Sequence, residues 1–272
     1  MKISNLPRIA AKYVLLAILC LIFAFPFVWM ISAATNKSVD IIKGEVMPGA
    51  FLVENVKGLF VLRPLGRVLL NSIKNALAGT VASLIVCSMA GYGFQIYRSK
   101  TMERLMAILL LSMMVPFATI MIPLFRMFTQ IGLFNTTVGV ILPSVSTAFL
   151  IFFFRQSTML FPIDIVDSAR VDGVGEFNIF LKVYVPIMAP TFGAAAIVTF
   201  MNYWNSYVWP LIILQRQESQ TMPLLLAGLT AGYTIDYGML MAAVLIFTLP
   251  TVIVFITQQR RFVAGILGAV KG

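Results

Sequence analysis

Residues Tyr13 to Ala33 read YVLLAILCLIFAFPFVWMISA, an uncharged run of 21 residues. At about 1.5 Å of rise per residue, such a run crosses the roughly 30 Å hydrocarbon core of a bilayer as one helix. Lys2, Arg8 and Lys12 stand before it. A basic start ahead of an apolar stretch resembles a secretory signal peptide, but this stretch exceeds the ~7–15 residues of a signal's apolar core. It therefore reads as an uncleaved first span whose N-terminus stays inside.

Further apolar runs follow at Ser72 to Tyr97, Leu105 to Phe128, Val138 to Phe154, Phe192 to Leu214 and Met239 to Thr257, giving six candidate spans. An even number puts both termini on one side of the membrane. Between the first two runs, Thr35 to Arg67 is polar and broken, with Lys37, Asp40, Pro48, Gly49 and Pro64, and reads as an extramembrane connection. Composition points the same way. Of 272 residues 60% are hydrophobic and 11% charged, with a mean hydropathy of +0.95, whereas a soluble domain carries about 45–50% and about 25%. So little charge cannot cover a water-facing shell. The expectation is an all-α membrane protein of six transmembrane helices, in contact with lipid around its perimeter.

The formal charge is +10. Basic residues gather at the cytoplasmic ends of spans, and Lys2, Arg8, Lys12, Arg98, Lys100, Arg104, Arg155, Arg170, Lys182, Arg260, Arg261 and Lys271 all fall on the side assigned inside. Outer loops after the second span hold Arg126 and Arg216. The first connection runs against this pattern with Lys37, Lys43, Lys57, Arg63 and Arg67, offset in part by three acids. No basic stripe interleaves with stacking aromatics, which excludes a nucleic-acid partner. The absence of histidine removes imidazole chemistry and His-ligated metals. Cys20 and Cys87 lie apart in apolar runs and read as small fillers. No catalytic constellation, metal site or cofactor is expected. Pro26, Pro116, Pro123, Pro143, Pro210 and Pro250 fall in or beside spans, where they kink helices for packing or open them onto a cavity.

Four of the ten acids fall between the fourth and fifth runs, in FPIDIVDSARVDGVGE from Phe161 to Glu176. Asp164 is placed to cap a short helix, Asp167 to favour the same N-terminus, and Gly173 to stop it. Phe177, Phe180, Leu181, Tyr184 and Val185 then recur at helical spacing, and Pro186 and Pro190 mark the way into the fifth span. The result is a helix, a turn and a second helix. Ile165 and Ala169 give the first helix a ridge of modest size that a groove in another protein can accept. An ordinary amphipathic loop accounts for the same pattern.

This segment resembles the EAA loop of ABC-importer permeases, whose pattern is Glu-Ala-Ala, three residues, Gly, then an Ile-x-Leu-Pro some nine residues on. Asp167, Ser168 and Ala169 stand where Glu-Ala-Ala would, followed by Asp172-Gly173 and by Val183-Tyr184-Val185-Pro186. Aspartate for glutamate shortens the acid by one methylene, and serine keeps the small volume. Likeness continues along the chain: Met114-Val115-Pro116, Ile122-Pro123-Leu124, Ile131 to Thr136 and Ile141-Leu142-Pro143 resemble the third and fourth spans of the maltose-type sugar permeases. Phe200 to Leu211 is similar to their fifth span, and the tail from Gln259 to Gly272 to their C-terminus.

The resemblance implies a single permease domain over 1–272 with a cytoplasmic coupling loop at 155–190, between helices 4 and 5. Asp164, Asp167, Ser168, Ala169, Asp172, Gly173 and Pro186 would form the contact to the ATPase. Implied partners are a second permease subunit in a heterodimer, a cytoplasmic ATPase dimer, an extracytoplasmic solute-binding protein and a sugar. Implied too is a multi-pass place in a bacterial or archaeal plasma membrane, both termini cytoplasmic. No Gly-x-x-x-x-Gly-Lys-Ser/Thr occurs, so this chain cannot cradle a nucleotide in the Walker fashion and is not itself expected to be an enzyme. For a solute path, Asn202, Tyr203, Trp204, Asn205, Ser206 and Tyr207 put amides and hydroxyls beside aromatic faces. Bonding between helices suits the same residues. The alternative of an ion-coupled secondary transporter wants internal repeats and an ionisable residue within a span, and no acid lies in an apolar core.

Overall fold

The computed structural model describes residues 6–62 and 64–270, with side chains described for 9–62 and 64–257. Lys2, Arg63, Lys271 and Gly272 lie outside the described residues, as do the side chains of Arg8, Arg260 and Arg261 and of the tail from Gln259. Every described element is helical: α1 (Leu6–Ala34), α2 (Ser38–Ile42), α3 (Leu52–Leu62), α4 (Leu65–Ile96), α5 (Lys100–Ser112), α6 (Phe117–Gln130), α7 (Thr137–Ile141), α8 (Ala148–Thr158), α9 (Ile163–Val171), α10 (Glu176–Ile179), a π turn (Phe180–Tyr184), α11 (Val185–Ile187), α12 (Ala189–Trp204), α13 (Val208–Ile213), α14 (Met222–Thr230) and α15 (Tyr237–Val270). The expected all-α membrane class is what the structure shows.

The six runs do not become six straight rods. Ile9–Ala34, Leu65–Ile96 and Tyr237–Thr257 are each long and apolar enough to cross as one helix, whereas α5 with α6, the stretch Thr137–Ser144 with α8, and Glu176–Ile187 with α12 are pairs bent by 96°, 52° and 83°. Leu105 to Phe128 therefore straddles a break, because Pro116 lacks an N–H and disfavours helix at the residue before it. The fifth run is corrected at both ends: helix begins at Glu176, stops at Trp204, and restarts as α13 after Asn205–Tyr207. Nor is the first connection simply irregular, since it holds α2 and α3. Pro26, Pro123 and Pro250 sit inside unbroken helices.

The chain divides into two compact units. The first takes 1–66 and 225–250. Asn55 is its polar hub: Nδ2 donates to Ala34 O at 2.9 Å and Asn36 O at 3.0 Å, which closes the C-terminal end of α1. Asp236 Oδ1 accepts from Met239 N at 3.0 Å and from Ser38 Oγ at 2.8 Å, starting α15 and tying it to α2.

The second unit, 67–224 with 251–272, contains the segments singled out by the sequence. Two of its cores gather Cys87, Met106, Ile151 and Phe154, and Phe128, Val140, Trp209 and Ile213. The break between α7 and α8 is closed by side chains from distant helices. Trp209 Nε1 donates to Gly139 O at 2.8 Å, Tyr203 Oη to Ile141 O at 3.2 Å, Ser83 Oγ to Ser144 O at 3.2 Å and Cys87 Sγ to Val145 O at 3.3 Å. Glycines let α4 lie close to its neighbours: a Cβ on Gly79 would stand 2.6 Å from the Tyr203 ring, and one on Gly91 2.8 Å from Arg155 N and 2.9 Å from Ile151 O.

Backbone atoms cannot yield as a side-chain tip can, so Gly91→Ala is expected to destabilise by about 1–3 kcal/mol. Gly93→Ala, where an added Cβ meets nothing within 4 Å, should be neutral or gain up to about 1 kcal/mol of helix propensity. Thermal unfolding of the detergent-solubilised pair checks this, and equal midpoints would contradict the close α4–α8 approach.

Candidate functional site

The acidic segment begins at α9, and its first turn corrects the expected cap. Pro162 occupies the N-cap with no side-chain hydrogen bond, and Asp164 lies inside the first turn. There it still faces the positive end of the helix. Ser168 Oγ donates back to Asp164 O at 2.8 Å. The stop is the expected one: Gly173 adopts φ +76°, Gly173 N bonds Arg170 O and Val174 N bonds Ala169 O, both at 3.0 Å. This pair of bonds is a Schellman motif, and it satisfies the last carbonyls of α9. Nothing lies within 4 Å of a Cβ added to Gly173, so backbone conformation, not space, demands glycine there.

One side chain of α9 anchors the segment below. Val166 is fully buried in a cluster with Tyr92 of α4, Phe161, Ile179, Phe180, Tyr184 and Met188, and Ala169 packs half-buried against it. Tyr92 meets the rings of Phe180 and Tyr184 edge-on at 5.4 and 4.8 Å. Tyr184 Oη lies 2.7 Å from Thr158 Oγ1 at the end of α8. The even apolar spacing from Phe177 to Tyr184 is not kept. Through the wider π turn, Ile179, Phe180 and Tyr184 face inward, while Phe177 and Leu181 are exposed.

Above, Arg170 ties the turn together. Its Nε donates to Glu176 Oε1 at 2.6 Å, its Nη1 to Asp167 Oδ1 at 3.0 Å, and its guanidinium lies 5.8 Å from the ring of Tyr97, just past α4. The hydrogen bond to Glu176 leads the effects that raise the Arg170 pKa further above its ordinary value. Asp164, Asp167, Ser168, Asp172, Gly173 and Pro186 are exposed, together with Ile165, Val171, Val174 and Phe177. The arrangement is a stiff, mixed-polarity knob on a buried root.

The polar residues of the fifth run separate. Asn202, Tyr203 and Ser206 line a groove of about 590 Å³ with Ser144, Thr147 and Phe149. Tyr203 Oη is already engaged, by Ile141 O and by Ser83 Oγ at 3.0 Å. Trp204 is buried and stacks on Phe200 at 6.0 Å. Asn205 turns its amide back to Met201 O at 2.9 Å. Neither these two nor the exposed Tyr207 lines the groove.

Several polar residues were not marked by sequence alone. Arg155, placed at a span end, is buried: its Nη2 donates to Glu103 Oε1 at 2.6 Å, and Arg98 Nε reaches the same oxygen at 2.8 Å. Trp209 closes a carbonyl, and Lys74 lies inside the second apolar run. A lysine within a lipid-length run was a readable signal; the partner of Arg155, 52 residues away, was not.

Arg170→Met should loosen the turn while leaving its root in place. Backbone amide exchange over 163–176 is expected to quicken severalfold with the global unfolding temperature unchanged. Unaltered local exchange would show that Val166 alone holds α9.

A family model described as "Binding-protein-dependent transport system inner membrane component" matches residues 79–266. The lactose transport system permease protein LacG of Rhizobium radiobacter is 44% identical over 267 residues, 98% of this chain and 97% of its own length. The arabinooligosaccharides transport system permease protein AraQ of Bacillus subtilis strain 168 is 39% identical over 203 residues, 74% and 72% of the two chains. In fold, the chain is similar to one in the crystal structure of a bacterial ABC transporter involved in the import of the acidic polysaccharide alginate, with a TM-score of 0.85, 20% identity and coverage of 96% and 99%.

Proposed function

Because the chain belongs to the inner membrane components of binding-protein-dependent transport systems, and is thus the permease subunit of such an importer, we propose that its solute is a sugar or oligosaccharide. The names of two relatives, a lactose and an arabinooligosaccharide permease, support that class. Family membership displaces the ion-coupled alternative. The subunit carries no reaction of its own; ATP is hydrolysed on a separate cytoplasmic ATPase dimer, an extracytoplasmic binding protein delivers the sugar, and a second, different permease completes the path. Both termini lie in the cytoplasm, and the whole of 1–272 acts as one permease domain.

The observation that carries the coupling role is the build of α9. Exposed Asp164, Asp167, Ser168 and Asp172 offer charge and hydroxyls to the ATPase surface, and Val171 and Phe177 offer apolar area. Ala169 and Val166 join this face to the cluster beneath, and Gly173 with Arg170 fixes the angle between α9 and α10. Work done on α9 passes to α4 through Tyr92 and to α8 through the Tyr184–Thr158 bond. Pro186 stands at the 83° bend into α12 and sets where that push turns into the membrane. A pliant link would dissipate the ATPase stroke as local disorder instead of moving helices.

Along the solute path, Asn202 and Ser206 supply free polar groups to the groove, and the Tyr203 ring supplies a face for the CH side of a sugar. Trp204, Asn205 and Tyr207 support the ends of α12 and α13 around it.

Gly173 separates the two halves of this reading. Valine is strained at positive φ, whereas asparagine tolerates it. Gly173→Val is therefore expected to insert normally and lose most ATP-driven uptake, on the order of tenfold, while Gly173→Asn keeps most of it. The assay is uptake of a panel of labelled neutral oligosaccharides in cells holding the full transporter. Wild-type uptake in Gly173→Val would remove α9 from the force path; no saccharide imported by the parent would overturn the substrate class.

A further inference from the structure

At the start of α4, some 30 Å along that helix from the α9 anchor Tyr92 by its ~1.5 Å rise, the chain has a second concavity that the import reading leaves unused. It is a pocket of about 410 Å³ walled by Arg67, Lys74 and Asn75 of α4, Asn135 and Thr137 at the start of α7, and Glu218 ahead of α14. The wall is pinned. Asn71 Nδ2 donates to Glu218 O at 2.8 Å and Gln220 O at 3.1 Å, Ser72 Oγ accepts from Met222 N at 2.7 Å, and Asn135 Oδ1 accepts from Gln215 N at 2.7 Å and Arg216 N at 2.9 Å.

Other groups in the same wall are left open. Among the described residues Lys74 makes no hydrogen bond or ion pair. Asn75 is 5% exposed, and its Oδ1 has no partner. Arg67 meets Glu218 loosely, at 3.7 Å, with side chains 58% and 68% exposed, a geometry that holds neither charge firmly. Lys74 is exposed and so free to reach a ligand, and a buried unpaired acceptor such as Asn75 Oδ1 is costly unless something donates to it. Leu214 is the only apolar residue among the described ones that line the pocket. No ring is present for a sugar face to stack on, in contrast to the groove beside Tyr203.

We propose that this pocket is a subsite for one anionic group, a phosphate or carboxylate, bearing a neighbouring hydroxyl. Lys74 and Arg67 neutralise the anion, two cations against the single carboxylate of Glu218, and the ligand hydroxyl donates to Asn75 Oδ1. Such a group reaches the site either in solution or as the headgroup of an anionic lipid. Charge-assisted bonds of this kind distinguish it from any neutral saccharide.

The test uses the full-length chain in nanodiscs. In phosphatidylcholine discs, gluconate is titrated against glucose as the neutral control; in parallel, unfolding midpoints are compared between phosphatidylcholine discs and discs containing phosphatidylglycerol. Saturable gluconate binding that glucose does not show assigns the site to soluble anions, and a midpoint raised by phosphatidylglycerol assigns it to lipid. In either arm Lys74→Met should weaken the effect about tenfold, with Lys74→Arg retaining most of it. Lys74→Gln, run alongside, guards against a change peculiar to methionine. The proposal is overturned by equal responses to gluconate and glucose together with equal midpoints in the two lipids, or by Lys74→Met and Lys74→Gln behaving as the parent. Binding to the isolated chain needs no ATPase, so this subsite and the import reading can fail separately.

Discussion

A carbonyl freed inside hydrocarbon has no water to turn to, and the break between α7 and α8 frees several within a few residues. Their donors come from elsewhere in the chain: Ser83 and Cys87 from α4, Tyr203 from α12 and Trp209 from α13. Each donor fixes the helix that carries it at hydrogen-bond distance from the broken backbone. The positions of three helices are thereby tied to one interruption, and the groove lined by Ser144, Thr147, Asn202 and Ser206 is the space that this arrangement leaves. Tyr203 shows the consequence for function. Its hydroxyl is spent on structure, so its ring, not its oxygen, is what the groove can use.

Closure of the same kind operates in the acidic segment between α8 and α12. The last carbonyls of α9 are taken up by the Schellman bonds around Gly173, and the guanidinium of Arg170 gathers Asp167 and Glu176. With polar groups satisfied locally, α9 keeps its shape in water and needs one apolar root, Val166, to hold its place. An exposed helix of nine residues would otherwise be marginal. Its stiffness comes from chemistry within a dozen residues of Gly173, which is why it survives on a surface.

That contrast explains what could be read from the sequence. Spans were legible because their signal is average apolarity over ~20 residues, and the stop at Gly173 was legible because glycine at a helix end is a local requirement. Bends were not. Pro26 and Pro250 leave helices unbroken while Pro116 and Pro143 sit at breaks, and at the Pro143 break the carbonyls are closed by Ser83, Cys87, Tyr203 and Trp209, donors that no local pattern announces. The cap expected of Asp164 failed because Pro162 already starts the helix one residue ahead of Ile163. Among the polar residues proposed for the solute path, Asn202 and Asn205 look alike in sequence, yet one lines the groove and the other folds back on Met201. Three residues of helical phase separate them, and α12 ends between.

α4 is the element on which both ends of the second unit bear. At one end Tyr92 packs on the root of α9, and Tyr97 faces Arg170. Along its length Gly91 and Gly79 bring it against α8 and α12 at distances too short to admit a methyl group. Contacts this close do not slide continuously; packed interiors shift between discrete arrangements. A displacement delivered at Tyr92 therefore carries α4 with the helices packed on it, or does not move it at all. The first turns of α4 hold Arg67, Lys74 and Asn75, with Asn71 and Ser72 bonded to the 218–222 segment. Whatever moves α4 at its Tyr92 end must then also move the polar pocket at the other, and a ligand that grips that pocket in one arrangement more tightly than in the other biases the whole helix.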